Sequence, residues 1–174
     1  YNSKALADIL ANQYHHRAFP TEPVVLQPRS LAEKSLDRIN HSGGMWQQPG
    51  FIADYFYLRD GKAHYGKELP KDFIIDRIAK QEERLFTVTL EYGDAIKGDP
   101  FNVERIHREN VENAQRSQFL HPIVREYQQG ELVSEHHVIE DLEANWVEEV
   151  HLLPLTEYLE KQLMAMAYSE KVAV

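Results

Sequence analysis

The sequence predicts a mixed α+β domain: an antiparallel sheet of about five strands with helices packed on it, two of them N-terminal and one C-terminal. Three observations predict this. Asp60-Gly61 and Gln129-Gly130 are hairpin turns between short alternating segments, and a two-residue hairpin joins antiparallel neighbours. No regular βαβ alternation, which a parallel sheet requires, runs along the chain. At 174 residues the chain can form one core, burying roughly 70% of the surface it exposes when unfolded.

The elements follow in order. Ala5 to His15 predicts a helix: Ser3 can cap it, and Leu6, Ile9, Leu10 and Tyr14 recur at helical spacing. Pro20, Pro23 and Pro28 punctuate the next stretch, where Val24 to Leu26 suits a short strand or an extended arm. Ser30 and Glu33 have the spacing of a capping box and predict a second helix to His41, with Ala32, Leu36 and Ile39 as its stripe. Gly43-Gly44 ends it and opens an irregular loop to Gly50. Phe51 to Leu58 and Lys62 to Gly66 form the first hairpin. Its register puts Ile52, Phe56, Leu58, Ala63 and Tyr65 on one face, interrupted by Asp54, and Tyr55, Tyr57 and His64 on the other.

Ile74, Ile78, Gln81 and Leu85 favour a helix from Pro70 to Glu83, although Ile74-Ile75 would also suit a strand. Leu85 to Tyr92 alternates as a strand. Asp99-Pro100 reads as an N-cap followed by proline at the first position of a third helix, reaching Gln118 with a thin apolar stripe. Pro122 to Tyr127 and Glu131 to Ile139 make the second hairpin. Asn145 and Glu148 suggest a capping box before a short helix carrying Trp146, Val147 and Val150, which Pro154 is expected to break. A last helix runs from Leu155 to Ala167. One domain over 1–168 is expected, with 169–174 as a fraying tail.

The net charge is −9, from 19 bases and 28 acids. Nine of the acids lie between Glu131 and Glu160, a segment without Lys or Arg, so the other 19 acids and the 19 bases balance. Nucleic-acid binding needs clustered cations, and the most basic stretch, Arg59 to Arg84, interleaves seven bases with six acids. Nucleic acid and anionic membrane surfaces are therefore excluded as main ligands, and no apolar run reaches the roughly 18 residues of a membrane span. Cysteine is absent, which excludes thiol catalysis and Cys-ligated metal and leaves the compartment open between cytoplasm and periplasm or secretion. The chain begins at Tyr1 rather than Met, the start expected of a processed or trimmed chain.

Four features carry candidate chemistry. The nine histidines are natural metal ligands and general bases. They lack the spacing of a local site, and His136 and His137 point to opposite faces of a strand. A site assembled from distant segments would use His121 and His136, brought together by the second hairpin, with His64 as third ligand; otherwise the histidines are scattered. Asp54, inside an apolar strand face, is the leading single polar group, because a buried unpaired carboxylate has a raised pKa; pairing with a nearby arginine is the structural alternative. Glu140, Glu143, Glu148 and Glu149 in the acidic segment would steer a basic partner, or simply form an outward face. Trp46, Tyr55 and Tyr57 would anchor a contact or line a ligand. Ser42 before Gly43-Gly44 has no nucleophile elbow around it, and no P-loop or Rossmann glycine fingerprint exists.

Taken together, these features favour a soluble, non-catalytic accessory or assembly module acting through protein contacts, able to form homo-oligomers and needing no cofactor. The alternative is an enzyme with a His/carboxylate site (Asp54, His64, His121, His136), with or without a divalent metal, acting on a small substrate. A third reading is a small-ligand domain with the sheet as floor and Met45-Trp46 as lid.

Overall fold

Sheet register organises the molecule. The computed structural model describes residues 2–93 and 102–172, those from 166 on as backbone. Helix α1 is Asn2–His15, strand β1 Thr21–Val24, helix α2 Pro28–His41 and the short helix α3 Gly43–Gln47. Strands β2 (Ile52–Arg59) and β3 (Lys62–Pro70) follow. A helical turn α4 (Lys71–Phe73) then runs into a π-helical turn, Ile74–Ala79. Strand β4 is Leu85–Glu91; a 3₁₀ turn spans Val111–Arg116; β5 is His121–Gln128, β6 Glu131–His137 and α5 Glu149–Val172. The protein is α+β: the described strands form one antiparallel six-stranded sheet in the order β1-β3-β2-β4-β5-β6.

Both hairpins turn where the dipeptides predict. Asp60 and Gly61 have φ of 52° and 68°, and Gln129 and Gly130 51° and 88°, the positive pair that a type I′ turn demands. Strand parity then sorts the side chains. Ile52, Phe56, Leu58, Ala63, Tyr65, Phe86, Val88, Leu90 and Val124 face α2, α3 and α5 in the larger core. Phe56 stacks between Phe86 at 4.7 Å and Tyr65 at 6.0 Å. Each fully buried side chain of this size contributes about 1.5–3 kcal/mol relative to exposure. Ala53, Tyr55, Leu69, Leu85 and Tyr127 point the other way, against Ala5 of α1 and Ile74, Ile78 and Ala79 of the π-helical turn.

Several expected elements differ. The sheet has a sixth strand because Thr21–Val24 pairs with β3, starting three residues before the Val24 to Leu26 arm. Strand β3 runs on to Pro70 through a bulge, described below. Helix α2 starts at Pro28 with no side-chain cap, and Glu33 pairs with Arg29 at 2.8 Å instead of closing a capping box. The expected loop after Gly43 holds α3, capped by Ser42, whose Oγ accepts the Met45 amide at 3.2 Å.

The third helix does not form over its described part. Residues 103–110 are non-helical and Val111–Arg116 is 3₁₀, since its thin apolar stripe buries little beyond Ala114. Its expected cap at Asp99-Pro100 lies outside the described residues. No short helix surrounds Trp146. That residue is fully buried, its amide donating to Asn40 Oδ1 at 3.0 Å and its Nε1 to the Ile139 carbonyl at 3.0 Å. Pro154 lies inside α5 without breaking it. Proline there removes one early hydrogen bond, while Leu152, Leu155 and Leu159 are held in the core. The backbone beyond Ser169 continues helical to Val172.

Candidate functional site

A cleft of about 510 Å³ opens on the α1 side of the sheet, between α1, the segment Ala18–Thr21 and the π-helical turn. The alternation of β2 builds its floor. Because Ile52, Asp54, Phe56 and Leu58 take the core face, Tyr55, Tyr57 and Arg59 take this one. Gly66 stands opposite Tyr55, and a Cβ there would fall inside the Tyr55 ring, so the missing side chain lets that ring lie against β3. Tyr55 and Tyr57 stack at 6.5 Å, Tyr57 and His64 at 5.1 Å, and the Arg59 guanidinium lies 5.0 Å above the Tyr57 ring. Phe19 and Phe73 meet edge to face at 5.6 Å at one side of the cleft.

Polar side chains line much of the cleft, with Asn12 and Gln13 of α1 beside Arg59, Arg77, Gln81 and Glu82. Arg59 donates to the Glu82 carboxylate. Burial pushes the Glu82 carboxyl above its usual range despite the charge of Arg59, and burial also raises the Tyr55 phenol, with Tyr57 and Glu82 adding to it. Neither the Tyr55 nor the Tyr57 hydroxyl has a hydrogen-bond partner among the described residues. The π-helical turn places Arg77 and Gln81 at the rim while Ile78 faces in; such turns recur at functional sites. An apolar concavity with convergent polar groups is the usual form of a small-molecule site. Sequence reading named the two tyrosines and His64 but missed Arg59, Arg77, Glu82, Phe19 and Phe73. Arg59 was recoverable from the β2 alternation; the others converge only in three dimensions.

Asp54 lies on the opposite face and is fully buried. Arg38 of α2 donates Nε to its Oδ2 at 2.7 Å, and the Glu68 amide donates to its Oδ1 at 2.8 Å. Register explains the second bond. Ala53 pairs with Leu69 but Tyr55 with Gly66, so β3 carries an extra residue there and Glu68 adopts φ of 54°, a strained conformation for a side-chain-bearing residue. Asp54 pins that bulge. The Glu68 carboxylate accepts from Ser42 Oγ at 2.7 Å and Arg38 at 3.3 Å. Burial raises the Asp54 carboxyl, against the pull of Arg38 and the Glu68 amide. The structural alternative, pairing with an arginine, is the arrangement found.

The four residues of the His/carboxylate proposal do not converge. Asp54 and His136 lie on the α2/α5 face, His64 and His121 on the other. β3 and β5 are three sheet positions apart, about 14 Å at ordinary strand spacing. His121 meets His137, not His136: Nε2 and Nδ1 are 2.9 Å apart. Ile123 pairs with His137 and Val124 with His136, so parity gives His121 the other neighbour. His136 instead stacks on Tyr158 at 5.1 Å, its Nε2 buried without a partner. Among the described residues no group of three or more His, Cys, Asp or Glu could hold a metal ion.

Three of the four acids expected to steer a partner are paired with bases from elsewhere. Glu149 receives two bonds from Arg29, at 2.5 and 2.9 Å, and Glu148 one from Arg108 at 2.6 Å. Glu140 is buried between Arg105, at 2.9 Å, and the Ser117 hydroxyl. Glu143 alone of the four is exposed without an ion pair among the described residues. Tyr55, at 1% exposure, lies under α1 and cannot anchor an external partner. Trp46 donates Nε1 to the Ile39 carbonyl at 2.7 Å and leans on Trp146. Met45 is buried in the core on the face away from the cleft, so Met45-Trp46 is no lid for it. Among the described residues no helix is long and apolar enough to cross a membrane.

No family model matches the chain. No solved structure matches it either. It is 26% identical, over an alignment of 189 residues, to FAD-dependent oxidoreductase domain-containing protein 2 of Mus musculus, covering 94% of this chain and 28% of that protein. With the protein of the same name from Danio rerio it is also 26% identical, over 184 residues, 92% of this chain and 26% of the relative. The chain spans about a quarter of the length of the curated relatives it matches. This likeness corrects the expectation of a non-catalytic accessory or assembly module and favours the enzyme alternative.

The described residues do not fit the dinucleotide part of FAD. A bound pyrophosphate wants a glycine-rich turn from a parallel strand into a helix N-terminus. All six described strands are antiparallel. The Gly43-Gly44 turn opens a helix of only five residues, and Ser42 and the Glu68 carboxylate crowd its start. Glu149 occupies the first turn of α5, where an anion would meet like charge.

Proposed function

We propose that this chain is the substrate-side part of an FAD-dependent oxidoreductase, with the cleft over Tyr55 and Tyr57 as the small-molecule site and the flavin dinucleotide held by segments other than those described. The observation that carries the proposal is the likeness over 94% of the chain to proteins named for that chemistry. The poor fit of the described residues to a pyrophosphate supports assigning this unit to substrate rather than to cofactor. The cleft supports the same assignment through its mixed apolar and polar walls, two unpartnered phenol hydroxyls and a buried carboxyl, Glu82, paired with the exposed Arg59.

Two measurements test this reading. The purified chain is titrated with FAD while flavin fluorescence is followed; no saturable binding is expected. The chain is then substituted for the aligned segment of the mouse relative, and flavin content and substrate-driven flavin bleaching are compared with the parent. A flavin-loaded chimera whose bleaching slows severalfold with Tyr55→Phe and Tyr57→Phe supports the reading. Stoichiometric FAD binding by the chain alone would overturn it, as would bleaching indifferent to both tyrosines.

A further inference from the structure

We infer that the cleft between α1 and the π-helical turn binds a small monoanion with an apolar body, a monocarboxylate being the simplest case, with Arg77 facing the anionic group. The inference rests on the cleft being a ligand site, the part of the preceding reading that concerns these residues, and does not depend on flavin.

Charge pairing selects the sign. The charged side chains lining the cleft are Arg59, Arg77 and Glu82. Arg59 and Glu82 are closed on each other, which leaves Arg77 without an ion-pair partner among the described residues. Of the acids close by in the chain, Asp8 pairs with Lys4 at 3.1 Å and Asp76 with Lys80 at 3.3 Å, while Asp72 and Glu83 are exposed and outside the lining. The chain entering the rim at Ala18 is His15-His16-Arg17 and carries no acid. Among the lining residues a cation would find no unpaired carboxylate. Among the lining residues a dianion such as a phosphate would find one unpaired guanidinium, which balances only one of its two charges.

The walls select the body. Ile9, Phe19, Phe73 and Ile78 offer apolar surface, while the half-buried Tyr57 hydroxyl supplies a hydrogen bond that the protein does not use and Tyr55 lies beneath it as floor. Arg77 is exposed at the rim, so its pairing with an anion adds modestly and the apolar contacts supply most of the binding.

The test uses three probes of equal size and different charge: phenylpropionate, phenylpropanol and phenylpropylamine, each titrated into the purified chain by calorimetry, with amide shifts read at Ile9 and Ile78. Phenylpropionate is expected to bind about fivefold tighter than phenylpropanol, with phenylpropylamine weakest and the shifts confined to the cleft. Arg77→Gln, an exposed change that leaves the fold intact, should bring phenylpropionate to the level of phenylpropanol without weakening phenylpropanol. Equal affinity for all three probes, tighter binding of the amine, or shifts outside the cleft would each overturn the inference. So would absence of binding to folded protein. A cleft that binds phenylpropionate while the mouse chimera shows no tyrosine-dependent bleaching would sink the oxidoreductase reading alone and leave the monoanion site standing.

Discussion

His121 and His137 share a hydrogen bond of 2.9 Å between Nε2 and Nδ1 across the β5–β6 pair. The other nitrogen of His121 contacts the Phe119 carbonyl at 2.7 Å, so it carries the proton there and His121 Nε2 accepts from His137. A second proton on His121 would reverse that bond, with His137 Nδ1 accepting and its proton moved to Nε2, 3.3 Å from the Glu135 carboxylate. Burial accordingly holds His121 below its usual value, with the Phe119 carbonyl opposing and His137 reinforcing.

Acid should unfold the protein through its buried histidines. Burial lowers His136 to about 4, with His137 adding to the shift, and burial also lowers His151. A group whose folded pKa is depressed leaves the unfolded chain binding more protons, so stability falls as pH drops from about 6.5 toward 4. His136 alone accounts for about 3 kcal/mol over that window. Urea unfolding across it should show the loss, and His136→Phe, which keeps the ring on Tyr158, should flatten the slope; an unchanged slope contradicts the assignment.

Removing Arg38 should be costly and pH-dependent. Arg38→Met leaves the Asp54 carboxylate buried without its cation, a loss of about 3–5 kcal/mol at neutral pH. The deficit should shrink in acid, because protonated Asp54 no longer needs the charge. Denaturant midpoints of wild type and variant at neutral and mildly acidic pH read this directly, and a deficit constant with pH would contradict it.

Gly66→Ala should disturb the cleft from beneath. The added Cβ meets the Tyr55 ring and must push it toward the cleft. Overpacking of this kind costs about 1–3 kcal/mol. A thermal melt measures the cost, and loss of phenylpropionate binding by the folded variant would show that the ring has moved.

Trp146→Ala should be the most damaging single core change outside the sheet. The side chain is fully buried and holds Ile139 through Nε1. Truncation leaves a cavity and an unpaired carbonyl, about 3–5 kcal/mol. A loss below 1 kcal/mol in chemical denaturation would mean that the site collapses around the gap.

The α+β class, both hairpins and the two faces of β2 are legible in the residues alone, because turn chemistry and strand parity are local: Asp60-Gly61 and the alternation Ile52 to Leu58 depend on near neighbours. The same parity places Tyr55, Tyr57 and His64 on one face. Tertiary structure alone decided the rest. Pro154 sits within a helix because Leu152, Leu155 and Leu159 are buried around it, and Trp146 left its expected helix for the core. The acids from Glu140 to Glu149 looked unpaired because Arg29, Arg105 and Arg108 are distant in sequence. His121 chose His137 over His136 by register parity. The cleft depends on α1, Phe19 and a π-helical turn meeting over β2, and packing between segments so far apart is set by the whole core rather than by any local pattern.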